Sequence, residues 1–224
     1  MRLPAQTEIA GDLVTCRPFD ASLELYNKGK LADLTSLAAM ANFSPVAKSA
    51  WQTDDGAGFA RLNNDEQVMR HFPGRLNRQE SDALAGRILA HIEQHGFGVW
   101  VVEHREQAGM IGIVGLQRVL FDSTFTNEVE IGWRLLPAYW HQGLACEAAQ
   151  AALEFGFTQL DLPQILAFTV PANLPSQALM QRLGMQRDPA EDFLHPLLPK
   201  NHPLRPHVLY RLNKAHWLTL NCAQ

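Results

Sequence analysis

Three β-rich runs follow one another at short intervals, and no other feature restricts the fold of this chain as much. Val99 to Glu103 (VWVVE), Met110 to Val119 (MIGIVGLQRV) and Val129 to Leu135 (VEIGWRL) are separated by polar turns over His104 to Gly109 and Asp122 to Glu128. The spacing predicts a three-stranded antiparallel meander. Next comes Ala145 to Phe157, rich in Ala, Leu and Glu and free of proline, with Leu144, Ala148, Ala152 and Phe155 on one stripe. This is a helix with one apolar face. A strand over Ile165 to Val170, a helix over Pro175 to Leu183 ended by Gly184, and a strand over His207 to Leu212 complete the pattern. The expected class is α+β, a mixed central sheet with an antiparallel N-terminal meander, flanked by helices.

Upstream the signals thin out. Asn77 followed by Glu80 is a capping-box pair, and Leu84, Ile88 and Ile92 continue it as an amphipathic helix. Asp65 to Phe72 reads as a shorter helix closed by Pro73-Gly74. Leu13 to Phe19 is a candidate first strand, whereas Asn27 to Ala50 mixes weak helical periodicity with Ser, Pro and Lys and defines little. With 224 residues, 46% of them hydrophobic, the chain can bury one substantial core. We expect a main domain over residues 56–215 with an N-terminal extension over residues 1–55.

Composition narrows the function. No window approaches a bilayer-spanning apolar stretch and no leader pattern opens the chain, so a cytoplasmic protein is expected. Three scattered cysteines, Cys16, Cys146 and Cys222, outline neither a disulfide framework nor a paired metal motif. A net charge of -4 without a dense Lys/Arg run argues against nucleic acid as partner. A small-molecule site is the expectation.

That site should lie at Trp140-His141-Gln142-Gly143-Leu144-Ala145, between a strand and a helix N-terminus. A glycine there lets the backbone curve toward a ligand, and the first helical N–H groups point outward with the positive end of the helix dipole. Such a turn suits a pyrophosphate, although Gly143 also serves a plain strand-to-helix turn. Gly109, Gly112 and Gly115 do not form a dinucleotide fingerprint, because apolar strand residues surround them and no helix follows. In Val129 to Trp133 the alternation puts Val129, Ile131 and Trp133 on one face and Glu130 on the other, as a solvated glutamate or as a base beside a cleft. Asn173 and Ser176 sit where a strand meets a helix, and both residue types cap helices. His195, His202 and His207 match no zinc spacing, and the prolines between them mark an extended loop bordering a substrate pocket; no metal site is expected.

The order of these segments resembles the GNAT superfamily of N-acetyltransferases, in the branch of the ribosomal-protein N-terminal acetyltransferases of RimJ/RimL type. The likeness runs from about Phe59 to Leu212. It rests on FARLNNDEQVMRHFP, EIGWRLLPAYWHQGLACEAAQAALEFGF, TVPANLPSQALMQRLGM and HPLLPKNHPLRPHVLYRL. The resemblance implies acetyl-CoA as cosubstrate and a primary amine as acceptor, either a protein N-terminus or a small molecule. It implies that His141, Gln142, Gly143, Leu144 and Ala145 hold the pyrophosphate, with Trp140 standing where the family has Gln or Arg. Leu135 and Leu136 would pair with the pantetheine arm, and Asn173 and Ser176 would lie beside the thiol end. Direct attack in a ternary complex is implied, with Glu130 as base and a backbone N–H near Leu135 on the oxyanion. Many relatives protonate the leaving thiolate with a tyrosine after the Asn; Leu174 to Leu183 has none, which leaves Ser176 or a water. A non-catalytic acyl-CoA-binding module is the alternative. The acceptor and the oligomeric state, a homodimer included, stay open at this point.

Overall fold

The computed structural model describes residues 9–10, 13–18 and 55–221. The weak periodicity of Asn27 to Ala50, the Phe19 end of the first expected strand and Cys222 lie outside them. Among the described residues the strands are β1 (Ile9–Ala10), β2 (Val14–Pro18), β3 (Val99–His104), β4 (Gln107–Arg118), β5 (Val129–Leu135), β6 (Gln164–Thr169), β7 (Gln186–Arg187), β8 (Phe193–Leu194) and β9 (Pro206–Asn213). The α-helices are α1 (Asp55–Asn64), α2 (Glu66–Met69), α3 (Arg78–His95), α4 (Leu144–Thr158), α5 (Leu174–Arg182) and α6 (Lys214–Asn221). Every element expected downstream of Gly98 is present within three residues of its anticipated ends, and α3 carries the anticipated reciprocal capping box between Asn77 and Glu80. Helices α1 and α6 and the short strands β1, β7 and β8 add to the sequence reading.

The sheet runs β1-β2-β3-β4-β5-β6-β9-β7, with β8 pairing β9 separately. Neighbours are antiparallel throughout except β5 and β6. That parallel contact is one register pair wide, Glu130 with Leu166, so β5 and β6 share no further rung toward Leu135. Close approach elsewhere depends on a missing side chain. A Cβ on Gly112 would lie 2.3 Å from the Arg134 carbonyl oxygen, which explains a glycine in mid-strand.

Strand alternation divides the core into two layers. Trp100, Val102, Val114, Leu116, Val129, Ile131 and Leu135 face α4, which returns the predicted stripe of Leu144, Ala148, Ala152 and Phe155, all of them buried. Trp100 meets Phe155 edge-on at 5.2 Å. On the opposite face Val99, Val101 and Ile113 pack under Phe59, Leu62, Val68, Met69, Ala85 and Ile88 of α1 to α3. The stripe of α3 also buries Ser81 and His91, polar positions that an apolar periodicity does not reveal. Both are bonded: Ser81 Oγ accepts from Asn63, and the His91 ring contacts the Phe97 carbonyl and the Arg118 N–H. The first strand is tied in by Glu147 of α4, whose carboxylate accepts from the N–H groups of Leu13 and Val14.

A candidate acetyl-transfer site

A cavity of about 970 Å³ opens where β5 and β6 part, bounded by α2, α4, α5 and the loop leading into β9. Its floor on one side is the N-terminus of α4. Asp65, Asn77 and Asn173 accept from backbone N–H groups at the starts of α2, α3 and α5, whereas Gly143 gives α4 no side-chain cap. Gly143 sits at φ +84, His141 at φ +59, and a Cβ on Gly143 would meet open space. The Gly143 peptide is exposed, not sealed in the core. Its carbonyl accepts from Cys146 and Glu147, and among the described residues the N–H groups of Gly143, Leu144 and Ala145 have no acceptor. Three donors and a helix dipole therefore converge on the cavity.

Trp140 donates its indole N–H to the Leu135 carbonyl at 2.7 Å and so pins the turn to the end of β5. The backbone of β5 is half used. Leu136 N–H donates to Ile111 of β4, and since main-chain groups alternate sides along a strand, Leu135 N–H points the other way, into the gap toward β6. Leu136 itself is buried against α1 to α3 and does not form the cavity wall; neither does Gln142, whose amide donates to the Ala138 carbonyl. His141, Gly143, Leu144, Ala145, Leu135, Glu130, Asn173 and Ser176 all line it.

Glu130 projects on the face opposite Val129 and Ile131, as the alternation predicts, and is half-buried on the cavity wall. Burial pushes its carboxyl from an ordinary 4.5 up to about 8. Asn173 is the N-cap of α5: its Oδ1 accepts from Ser176 N–H and its Nδ2 donates to Thr169 Oγ1 at 2.9 Å. Capping and cavity lining thus coincide at this residue. His195 and His207, twelve positions apart, are brought to 5.0 Å between rings by the β8–β9 pairing of Phe193 with His207. They border the cavity beside Phe168, and burial lowers both imidazoles, which favours the neutral rings. His202 stays away and accepts from Leu204 N–H.

Several wall residues lie within the segments quoted above without having been singled out there for a role. Arg70, His71, Arg134, Cys146 and Arg182 line the same cavity. Arg134 was readable in principle, because it shares the strand face of Glu130. Burial raises the Cys146 thiol, with the nearby Arg182 pulling the other way.

The description "Acetyltransferase (GNAT) domain" matches residues 49–186, more than half of the chain. The chain belongs to the GNAT acetyltransferase family. Among the relatives of this GNAT protein is the N-acetyltransferase YnaD of Bacillus subtilis, 29% identical over 155 residues that cover 69% of this chain and 85% of the relative. The fold agrees with an acetyltransferase of the GNAT family from Bacillus anthracis, with a TM-score of 0.64 at 20% identity over 93% of this chain and 99% of that one. It agrees also with Mycobacterium smegmatis RimJ in complex with CoA-disulfide, with a TM-score of 0.59 at 18% identity over 99% of this chain and 92% of that one. The GNAT assignment makes the chain an N-acetyltransferase, in a family that uses acetyl-CoA. Among the described residues no helix is long and apolar enough to cross a membrane.

Proposed function

We propose that the chain transfers the acetyl group of acetyl-CoA to a primary amine by direct attack, with both substrates bound in the cavity. The observation that carries this reading is the uncapped N-terminus of α4: three unused N–H donors at Gly143, Leu144 and Ala145, facing the cavity where β5 and β6 separate. Preorganised backbone donors suit a pyrophosphate, and the open edge of β5 beside them suits an amide-bearing arm. Residues and cosubstrate fit in kind: donors meet phosphate, strand edge meets pantetheine, and the apolar wall formed by Leu144 and Met180 meets carbon. Bound acetyl-CoA supplies an activated thioester.

The chain's own groups do the rest. An alkylammonium with a pKa of about 10.4 holds its proton at neutral pH and cannot attack. Glu130, with a carboxyl raised to about 8, lies close enough to the working pH to accept that proton when ionised, directly or through a water. Leu135 N–H, aimed into the strand gap, is placed to donate to the acyl oxygen as charge builds there. Ser176, held on the first turn of α5 behind the Asn173 cap, is the hydroxyl we assign to the leaving sulfur. The substrate range we propose includes protein N-termini and small amines, and the environment is cytoplasmic.

Incubating purified protein with acetyl-CoA and a panel of amines while following free thiol tests the reading. Acceptor-dependent thiol release is expected. Thiol at background with every amine, or no calorimetric uptake of CoA, overturns it.

A further inference from the structure

The cavity carries an electrostatic asymmetry that acetyl-CoA alone does not explain. Among the described residues Arg70, Arg134 and Arg182 line it against a single carboxylate, Glu130. Arg182 lies near Cys146 at the start of α4, on the proposed phosphate side. Arg134 lies on the other side of the sheet, among α1 and α2. Its Nη1 donates to Asn63 Oδ1 at 2.5 Å and contacts Met69 Sδ at 3.7 Å, and its guanidinium lies against the rings of Phe59 at 5.9 Å and Phe72 at 5.3 Å. Asn63 is fully buried and is itself oriented by a 2.8 Å bond to the buried Ser81. A polar chain of Ser81, Asn63 and Arg134 therefore crosses an otherwise apolar layer.

That chain ends on a cation with no anion. Among the described residues Arg134 makes no ion pair, and its Nε–Nη2 edge has no acceptor. Burial lowers the guanidinium to about 10, so it stays charged at neutral pH. The side chain is half-buried and its unpaired edge is open to the cavity, so an anion arriving there would meet a partly desolvated cation that lacks a counter-ion. A guanidinium fixed at Nη1 and clamped by aromatic rings presents its free fork to a planar two-oxygen partner.

We propose that Arg134 binds a carboxylate of the amine acceptor, so that the chain selects amines bearing an anionic group over polycations. The inference rests on the acetyl-transfer reading above, since it takes Glu130 to mark the amine end of the acceptor. Glu130 and Arg134 share one strand face, four residues and about 13 Å apart at ~3.3 Å per residue. The acceptor must then span a comparable length, as an N-terminal amine followed by an acidic side chain does. Polyamines and aminoglycosides bring further positive charge to a wall that already holds it.

The test uses the full chain and three probes: a short peptide with a free N-terminus and glutamate at its second and third positions, the same peptide with glutamine there, and spermidine. The glutamate peptide is expected to have the highest kcat/KM. Arg134→Gln should lower kcat/KM for it about tenfold more than for the glutamine peptide. Arg134→Lys should recover part of that loss, and the acetyl-CoA Kd should hold. Calorimetry of the glutamate peptide against the CoA-loaded protein and Arg134→Gln reads the same contact without turnover. If no amine is acetylated yet the peptide binds and the variant loses it, the transfer reading falls and the carboxylate site stands. Equal use of the two peptides, equal loss for both in Arg134→Gln, preference for spermidine, or a loss confined to acetyl-CoA affinity, which would assign the arginine to the cosubstrate's phosphates, each overturns the proposal. Asn63→Ala, with its melting temperature checked, should reproduce the Arg134→Gln selectivity in weaker form, because Asn63 is a positioning residue.

Discussion

The two halves of the cavity are built from different materials. On the α4 side the polar groups are mostly main chain, the N–H donors of Gly143, Leu144 and Ala145 and the half-used edge of β5, with the Arg182 side chain beside them. On the α1–α3 side and around the β8–β9 hairpin they are side chains: Glu130, Arg134, His195 and His207. Main-chain donors recognise a phosphate or an amide whatever residues carry them, so that half suits a cosubstrate common to a family. Side chains change with single substitutions, so the other half suits an acceptor that differs between relatives. On the proposed reading, the contrast teaches that recognition of the shared partner and choice of the particular one would be physically separate in this fold.

The sharpest way to separate the halves is Glu130→Gln. It should lower kcat by about 100-fold or more, the usual yield of a general base, while leaving acetyl-CoA affinity within about twofold. With an alkylamine acceptor, whose own pKa of about 10.4 lies well above this range, the wild-type kcat/KM should show an inflection at about 8 as the carboxyl ionises, and the variant should lose it. The stability effect has the opposite sense. A carboxyl raised from 4.5 to about 8 in the folded state binds its proton more tightly there, so its favourable contribution is full below pH 4.5 and disappears as pH climbs to about 8. The melting temperature of Glu130→Gln should therefore exceed that of the wild type above pH 8.

Leu153→Ala probes whether the helix behind the main-chain half is only scaffold. Leu153 is 1% exposed, and its truncation should cost about 2–5 kcal/mol in chemical denaturation, with activity below the transition close to wild type. Smaller again is Gly143→Ala. An alanine at φ +84 is strained by about 1–2 kcal/mol but meets no neighbour, so the protein should fold and bind acetyl-CoA about tenfold more weakly while selectivity among amines stays fixed. A changed acceptor preference in that variant would erase the division of labour. Ser176→Ala should be the mildest, lowering kcat about threefold or less, because a thiolate of ordinary pKa leaves with little assistance. A larger drop would make Ser176 the proton donor in earnest.

How far the sequence could be read follows the same divide. Strand alternation put Glu130 on the correct face, the stripe of α4 was visible residue by residue, and Gly143 announced a turn because few other residues hold a positive φ. Helix α1 was missed because Gly56 and Gly58 weaken its propensity; packing against β4 sustains it, with Gly58 close under Met110. Arg134 was overlooked since a charged residue in a half-buried strand looks like a solvated one until Asn63, 71 positions earlier, is seen to grip it. Leu136 and Gln142 fell within a motif, but the Leu136 N–H is taken by the Ile111 carbonyl and the Gln142 side chain turns back to Ala138 and away from the cavity wall, neither of which a local pattern shows. The pairing of His195 with His207 depends on how a proline-rich loop folds back, which no local periodicity encodes.

The one-rung contact between β5 and β6 leaves the sheet as two panels joined by a single stitch at Glu130 and Leu166. A ligand arm laid along the open edge would act as a borrowed strand, making the cosubstrate a temporary part of the protein's architecture. Saturation a hundredfold above its Kd would deepen the folded state by about 2.7 kcal/mol, and protection of the Trp133 and Leu135 amides from solvent exchange should report the seam closing.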